Sequence, residues 1–214
     1  TEEAFKAFDQ GVLTGAEVVL HDEEGKEVKD EEGNVVTVKE LQPEETLNLA
    51  EGFAMIAKAS GIEVDLEATI SPEIVALGAP DWAEPYLEAV AEVTSSEEVV
   101  AAFKEAGSAS APMTRDIFAD VAMEVFEGVT GEELDVPVSI VDHYEDFSDM
   151  TAEQQLDFAQ AHAIGMITGA EGGTLANFDG EANRAEAAKM LSALNESLEA
   201  FALTGEVEIH EPAL

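Results

Sequence analysis

The sequence predicts a mainly α-helical domain. Three observations favour this class: apolar residues recur at helical spacing, capping residues precede the periodic runs, and one local pattern occurs three times. The clearest apolar face consists of Ala187, Met190, Leu191, Leu194, Leu198 and Phe201. Repeated helix-loop-helix units must stack to bury such faces. We therefore expect one domain over residues 1–205, built of three repeats at 1–66, 67–137 and 138–205, related as a pseudo-threefold bundle.

The first helix of each unit is predicted from residues 4–15, 81–90 and 158–169. The first and third of these segments align without gaps, and each closes on a glycine, Gly11 or Gly165. The second contains Pro85, which a helix tolerates only in its first turn. A helix start just before Pro85 is therefore expected.

A second helix of each unit is predicted to begin after Asn48, Thr114 or Asn183. Asn and Thr are favoured N-cap residues, because their side-chain oxygen accepts a hydrogen bond from an otherwise unpaired backbone N–H. Glu51 and Glu186 follow the two asparagines by three residues and complete capping boxes. We expect all three N-cap side chains to accept such a bond.

The only two arginines, Arg115 and Arg184, each directly follow one of these caps. A cation at a helix N-terminus opposes the helix dipole, at a typical cost of about 0.3 to 1 kcal/mol. A cation together with unpaired N–H groups suits an anion, so the pattern favours an anion-binding site at both helix starts. The other interpretation is that both arginines balance neighbouring carboxylates on an acidic surface.

Residues 16–41 form an insertion that the third unit lacks. Two Asp-Glu-Glu-Gly turns separate three short β-prone runs, which predicts a small β-meander. Its acids are one calcium candidate, although Lys26 and Lys29 interrupt them and the EF-hand order is absent. Asp146 and Asp149 are a second calcium candidate, with a loop before the helix capped by Thr151 as the alternative.

The composition indicates a folded protein with an acidic coat. Nine Lys plus Arg stand against 48 Asp plus Glu, a formal net charge of −39, while 46% of the residues are hydrophobic. Such a coat is self-repelling and is tolerated best where salt screens it, so the charge favours a halophilic or ion-rich exterior. Nucleic acid is not an expected partner, because phosphate binding needs clustered Lys or Arg.

Several other function classes find no support in the sequence. There is no apolar run long enough to span a bilayer, and there is no cysteine. The histidines show no i, i+4 pair of the kind that binds zinc. The chain begins at Thr1, as expected of a secreted protein whose signal peptide has been removed, or equally of a trimmed chain.

The three units resemble the S-layer homology (SLH) family. The third unit carries the most motifs: Phe147-Ser148-Asp149, the turn Gly165–Gly169, Gly173-Thr174-Leu175 and Asn183-Arg184-Ala185-Glu186. The second keeps Trp82-Ala83 and Met113-Thr114-Arg115, with Ile117 where the family has Glu. The first keeps the turn and the cap, with Leu49 where the family has Arg.

The resemblance implies a non-enzymatic domain that holds proteins at a cell surface by binding anionic envelope polysaccharide near the helix starts. The glycan-binding residues that it implies are Arg115, Arg184, Thr114, Asn183, Gly173, Thr174 and Trp82. Leu49 implies that the first groove is degenerate. Trp82 is open to two interpretations, a packed residue at a helix start or a platform on which a sugar stacks.

The tail over residues 206–214 predicts an assembly role. Val207 and Ile209 alternate with polar residues, as in a one-sided strand. Its β-prone partners lie in the insertion, at Val18, Leu20, Val36 and Val38. Pairing within one molecule, pairing with the next molecule and simple local docking all remain open. The alternative function is therefore a self-assembling filament or layer subunit that has lost glycan binding.

Overall fold

The computed structural model describes residues 16–19, 26, 37–40, 43–169, 174–207 and 209. The described residues form seven α-helices and one pair of strands, which confirms the predicted mainly helical class. The helices are α1 Leu49–Ala59, α2 Pro72–Val75, α3 Glu84–Val93, α4 Ser96–Ala106, α5 Arg115–Thr130, α6 Ala152–Ala163 and α7 Arg184–Thr204. Two 3-10 turns, Val138–Ile140 and Phe147–Asp149, lie between α5 and α6.

Local capping fixes most of the helix starts. At α1, Asn48 Oδ1 accepts from Glu51 N at 2.9 Å and Glu51 Oε2 accepts from Asn48 N at 3.1 Å. The box at Asn183 and Glu186 has the same distances, 2.9 and 3.1 Å. Both predicted boxes are confirmed, as is a third at Thr151 before α6.

The cap predicted at Thr114 is wrong in one respect. Thr114 has the extended backbone of an N-cap residue, but its side chain accepts no capping hydrogen bond. The helix that follows is instead held at its start by backbone bonds, because Arg115 N and Asp116 N donate to the carbonyl oxygens of Gly180 and Phe178, both at 2.9 Å. A neighbouring chain segment thus replaces part of the local cap.

Pro85 lies in the first turn of α3, as predicted, and Gly205 ends α7 in the left-handed conformation, with φ at 69°. The apolar face of α7 is buried from Ala187 to Leu198, while Phe201 is half-buried. It joins one hydrophobic core in which Phe53, Phe118, Phe126 and Phe158 are fully buried.

Three backbone hydrogen bonds close a ring that joins the starts of α1, α5 and α7. Leu47 N donates to Ala182 O, Ala182 N to Met113 O and Met113 N to Leu47 O, each at 2.9 Å. Each of the three residues immediately precedes an N-cap residue, so the bonds connect equivalent positions. We call Leu47, Met113 and Ala182 the cap ring. It holds together helix starts that are far apart in the sequence.

Of the insertion, the structure describes one antiparallel pair, β1 Ala16–Val19 with β2 Thr37–Glu40, in which Val18 lies opposite Val38. The described residues therefore contain no third strand of the expected meander. Its middle run lies outside them apart from Lys26, as do Leu20 and Val36. The helix expected over residues 4–15 and its closing Gly11 also lie outside the described residues.

Candidate carboxylate-binding site

The first backbone N–H groups of the three helix starts are already hydrogen bonded. The N–H groups of Leu49, Arg115 and Arg184 each donate at 2.9 Å, to the carbonyl oxygens of Ala111, Gly180 and Glu45. The next residues, Ala50, Asp116 and Ala185, donate in the same pattern at 3.1, 2.9 and 3.0 Å. The expectation that unpaired N–H groups would face an anion is therefore wrong for these positions. The physical reason is that the segment before another helix start supplies the acceptors.

Arg115 is buried, with 5% of its surface exposed. Its Nε donates to Ala176 O at 3.1 Å. Its Nη1 lies 3.9 Å from Glu186 Oε1, which is within electrostatic range but too long for a hydrogen bond. No described residue accepts a hydrogen bond from either Nη group, so both groups keep hydrogen-bond donors for a further acceptor. Burial lowers the pKa of Arg115, and the charge of Glu186 opposes that shift.

The loop beside Arg115 is held by two hydrogen bonds to Asp146. Asp146 accepts hydrogen bonds from Ala176 N at 2.8 Å and from Asn177 N at 2.7 Å. Asn177 adopts a left-handed φ of 53°, a conformation that asparagine tolerates better than most residues. The loop in turn accepts the Nε bond through Ala176 O and thereby fixes the guanidinium plane.

Tyr144 lies close enough to Arg115 for the two groups to interact electrostatically. It is buried, and this burial raises its pKa. Its hydroxyl is 3.4 Å from His162 Nδ1, and the exposed ring of His143 lies against it with centroids 4.2 Å apart. Both carboxylate oxygens of Asp146 accept hydrogen bonds from the loop, and calcium binding by Asp146 and Asp149 stays a prediction. Among the described residues, no group of three or more acidic or histidine side chains is placed to hold a metal ion.

Arg184 is arranged differently. Its Nη2 donates to Glu51 Oε1 at 3.0 Å, and the side chains are 12% and 28% exposed. Glu51 is also the reciprocal acceptor in the α1 capping box. This ion pair connects the start of α7 to the start of α1.

The two arginines follow one geometric rule. Arg115 follows the Thr114 cap and faces Glu186, the glutamate of the capping box at the start of α7. Arg184 begins α7 and faces Glu51, the glutamate of the capping box at the start of α1. Each arginine thus faces the capping-box position of the next helix start in the cap ring. The corresponding third pair is Leu49 with Ile117, both buried in the hydrophobic core. We call these three pairs of positions the junctions. Sequence reasoning singled out Leu49 and Ile117 separately but missed that they replace the two members of one junction.

The remaining predicted glycan-binding residues are dispersed. Thr114 is half-buried, Asn183 is engaged in its capping box and Thr174 is exposed. Trp82 is 52% exposed in the turn before α3, which does not agree with a packed residue, and no described interaction connects it to either arginine. Gly173 lies outside the described residues. Of the residues around the two arginines, sequence reasoning missed Tyr144. It treated Glu51 and Glu186 only as capping residues and Asp146 only as a calcium candidate.

The residues expected to act in assembly are partly described. The side chain of Val207 is half-buried against the hydrophobic core, whereas Ile209 is 49% exposed. Neither is part of a strand. The tail is thus docked locally at Val207, and its pairing with a strand of the insertion stays a prediction. None of the described helices is both long and apolar enough to cross a membrane.

A second feature is a groove of about 570 Å³ between α4, α5 and α6. We call it the acidic groove; its carboxylates are Glu98, Glu105, Asp116, Asp120, Glu124, Glu127, Glu133, Glu153 and Asp157. Burial, with the charge of Glu124 next in importance, raises the pKa of Asp120 to about 7. Burial, with Asp120 next, raises the pKa of Asp157 to about 7. No Lys, Arg or His lines the groove.

Comparison with protein-family models and with curated proteins finds no match to this chain. The features that bear on function are therefore the geometry of the junctions and the sequence resemblance. Of the three junctions, the one at Arg115 contains a buried cation whose Nη groups have no hydrogen-bond acceptor among the described residues.

Proposed function

We propose that this protein is a non-enzymatic, extracellular cell-surface protein of SLH type that binds a carboxylate of envelope polysaccharide at Arg115. The observation that carries the proposal is the state of that side chain. It is buried, positively charged and oriented by Ala176 O, while neither Nη group has a hydrogen-bond acceptor among the described residues. A carboxylate fits the planar edge of a guanidinium bidentately.

We also propose that the chain consists of three repeats with approximate threefold symmetry and a β-meander insertion. The support for the symmetry is the cap ring together with the equivalent bonds from the first two residues of α1, α5 and α7. In each case the first residue donates to a carbonyl three positions before another N-cap residue. Unrelated helices have no reason to repeat such a bond pattern three times.

The chemistry of Arg115 suits recognition and not merely charge balance. A buried guanidinium has lost its water, so a completed charge-assisted pair there is stronger than one at the surface. Its bond to Ala176 O fixes the plane in advance, which reduces the ordering cost of binding. The net charge of −39 repels an anionic polymer at long range. Molar salt screens this repulsion, because the Debye length there is about 3 Å.

The direct test is a binding measurement on the full chain with isolated envelope polysaccharide. The buffer contains NaCl on the order of 2 M, because salt at that concentration screens the repulsion between the acidic protein and an anionic polymer. Arg115→Gln is expected to lower the affinity at least tenfold, and methyl glucuronide should compete with the polysaccharide for the unchanged protein. Arg184→Gln is the matched control, because Arg184 is already paired with Glu51. Equal binding by the unchanged protein and Arg115→Gln would overturn the proposal.

Self-assembly is the second candidate function. The observation that favours it is the β1–β2 pair, whose outer edges have no partner among the described residues, together with the exposed Ile209. Unpaired strand edges are templates for strands of other molecules. Glycan attachment and assembly are compatible in a surface layer, and electron microscopy of the purified protein distinguishes polymers from dispersed particles.

A further inference from the structure

We infer that the anion bound at Arg115 is a hydroxy-carboxylate of the uronic acid class, and that Glu186 selects it by accepting a hydrogen bond from the hydroxyl next to the carboxylate. The inference deepens the proposed function and rests on it. It names the class of sugar at the same site and makes Glu186 a residue that determines specificity.

Arg115 and Glu186 form a donor and an acceptor that do not satisfy each other. The distance from Nη1 to Oε1 is 3.9 Å, which is too long for a hydrogen bond. Neither Nη group of Arg115 donates to a described residue, and no described residue donates to Glu186 Oε1. A ligand at this position therefore needs an acceptor for the guanidinium and, beside it, a donor for the carboxylate.

Local hydrogen bonds hold both groups in position. Glu186 Oε2 accepts from Asn183 N at 3.1 Å, and Asn183 Oδ1 accepts from Glu186 N at 2.9 Å, so the capping box fixes the carboxylate and leaves Oε1 over. Arg115 Nε donates to Ala176 O at 3.1 Å. Because binding need not order either group, their spacing can be matched by a ligand at a low entropic cost. The Glu186 side chain is 37% exposed and that of Arg115 6%, so a ligand reaches the pair from the Glu186 side.

Charge alone does not select an anion at this position. Glu186 and Asp146 both act electrostatically on the Arg115 guanidinium, so one positive charge lies near two negative ones. A ligand that offers only acceptors, such as a simple carboxylate or a sulfate ester, is repelled by Glu186 and forms no bond with it. A hydroxyl next to the ligand carboxylate changes this balance. It donates to Glu186 Oε1 while the carboxylate accepts from the Nη groups.

Uronic acids present such a pair of groups. Their carboxylate is attached to a ring carbon whose neighbour bears a hydroxyl, so an acceptor and a donor lie side by side. The junction at Arg184 differs in this respect, because Arg184 Nη2 donates directly to Glu51 Oε1 at 3.0 Å. There the donor and the acceptor are joined to each other, whereas at Arg115 both are left for a ligand.

The test measures a ratio of two affinities by titration calorimetry. The probes are methyl glucuronide and its deoxy analogue, which lacks only the hydroxyl on the ring carbon next to the one that bears the carboxylate. Glu186→Gln keeps the capping box, because its amide oxygen accepts from Asn183 N, and it turns the position of Oε1 from an acceptor into a donor. Glu186→Ala removes the group altogether. Glu181→Gln is the matched control, since it removes the same charge from an exposed residue shortly before α7. Thermal melting verifies that each variant folds.

The unchanged protein and Glu181→Gln are expected to bind methyl glucuronide about tenfold more tightly than the deoxy analogue, because the analogue loses a hydrogen bond to a carboxylate. The preference should fall to about threefold or less in Glu186→Gln and disappear in Glu186→Ala. Equal binding of the two probes by the unchanged protein, or a full preference in both folded Glu186 variants, would overturn the inference and leave the proposed function standing. If the unchanged protein binds neither probe, the proposed function fails and the inference fails with it.

Discussion

Arg184 donates to Glu51 across 3.0 Å, although 133 residues separate them in the chain. Each is locally determined: Glu51 belongs to the capping box of α1, and Arg184 is the first residue of α7. The pair therefore joins two helix starts through side chains while the cap ring joins them through backbone. This double connection makes the junction a structural element.

The ion pair is expected to stabilise the fold. Arg184→Gln or Glu51→Gln alone should lower the free energy of unfolding by about 1 to 3 kcal/mol, because each removes a hydrogen-bonded ion pair at a partly buried position. A double-mutant cycle in urea should give a coupling energy of about 1 kcal/mol. The cycle of Arg115→Gln with Glu186→Gln is the control and should show a smaller coupling, since those atoms are 3.9 Å apart. Equal couplings would contradict the interpretation that only Arg184 forms a hydrogen-bonded ion pair.

Salt should stabilise the protein strongly. With 48 acidic residues against nine basic ones, the compact state suffers more self-repulsion than the unfolded chain, and screening relieves it. The free energy of unfolding should rise from low to molar NaCl. Urea unfolding at a series of NaCl concentrations tests this, and a flat series would remove the halophilic interpretation without affecting the fold.

The acidic groove predicts a pH dependence of known sign. The pKa of Asp120 and that of Asp157 are raised to about 7 in the folded state, whereas the pKa of an aspartate in the unfolded chain is about 3.9. Between about pH 4 and pH 7 the native state therefore binds more protons than the unfolded state. Stability should therefore fall as pH rises from about 4 to 7 and then level off. Unfolding measured from pH 4.5 to 8.5, at a constant high salt concentration, tests the sign.

Variants locate this effect in the groove. Asp120→Asn should raise the free energy of unfolding at pH 8 by on the order of 1 kcal/mol, after allowance for solvent screening, and should flatten the pH profile. Glu73→Gln, at an exposed position outside the groove, is the control. A profile that is unchanged by Asp120→Asn would mean that the groove does not take up the proton.

The tail can be tested by deletion of residues 206–214. If strand addition through Ile209 makes polymers, the deletion should abolish them in electron micrographs and leave the helical content unchanged. A modest loss of stability is expected, because Val207 packs against the core. Ile209→Asp is a finer variant that spares Val207. Polymers that persist in both variants would exclude the strand-addition mechanism.

Two glycines distinguish rigid from adaptable contacts in the core. A Cβ at Gly128 would lie 2.1 Å from the backbone oxygen of Val93, whereas a Cβ at Gly52 would meet the flexible Met113 side chain. Gly128→Ala should therefore cost about 1 to 3 kcal/mol, and Gly52→Ala should cost less if Met113 changes rotamer. Thermal melts of the two variants give the comparison.

The sequence by itself determined several helix ends, although the helices predicted over 158–169 and 81–90 lie at Ala152–Ala163 and Glu84–Val93. Asn48, Thr151 and Asn183 cap their helices and Gly205 ends α7, because these signals act between residues within about four positions of one another. The apolar spacing of α7 likewise identified its buried face. Local hydrogen bonding and helical period are both readable from one stretch of chain.

Tertiary structure decided what those helix starts can bind. The N–H groups that local reasoning left unpaired are bonded to carbonyls of distant segments, and the Thr114 cap is replaced in the same way. The setting of Arg115, the ion pair at Arg184 and the acidic groove all depend on which segments of the chain meet in space. Such contacts are set by packing of the whole core, and no local pattern encodes a distance of 3.0 rather than 3.9 Å.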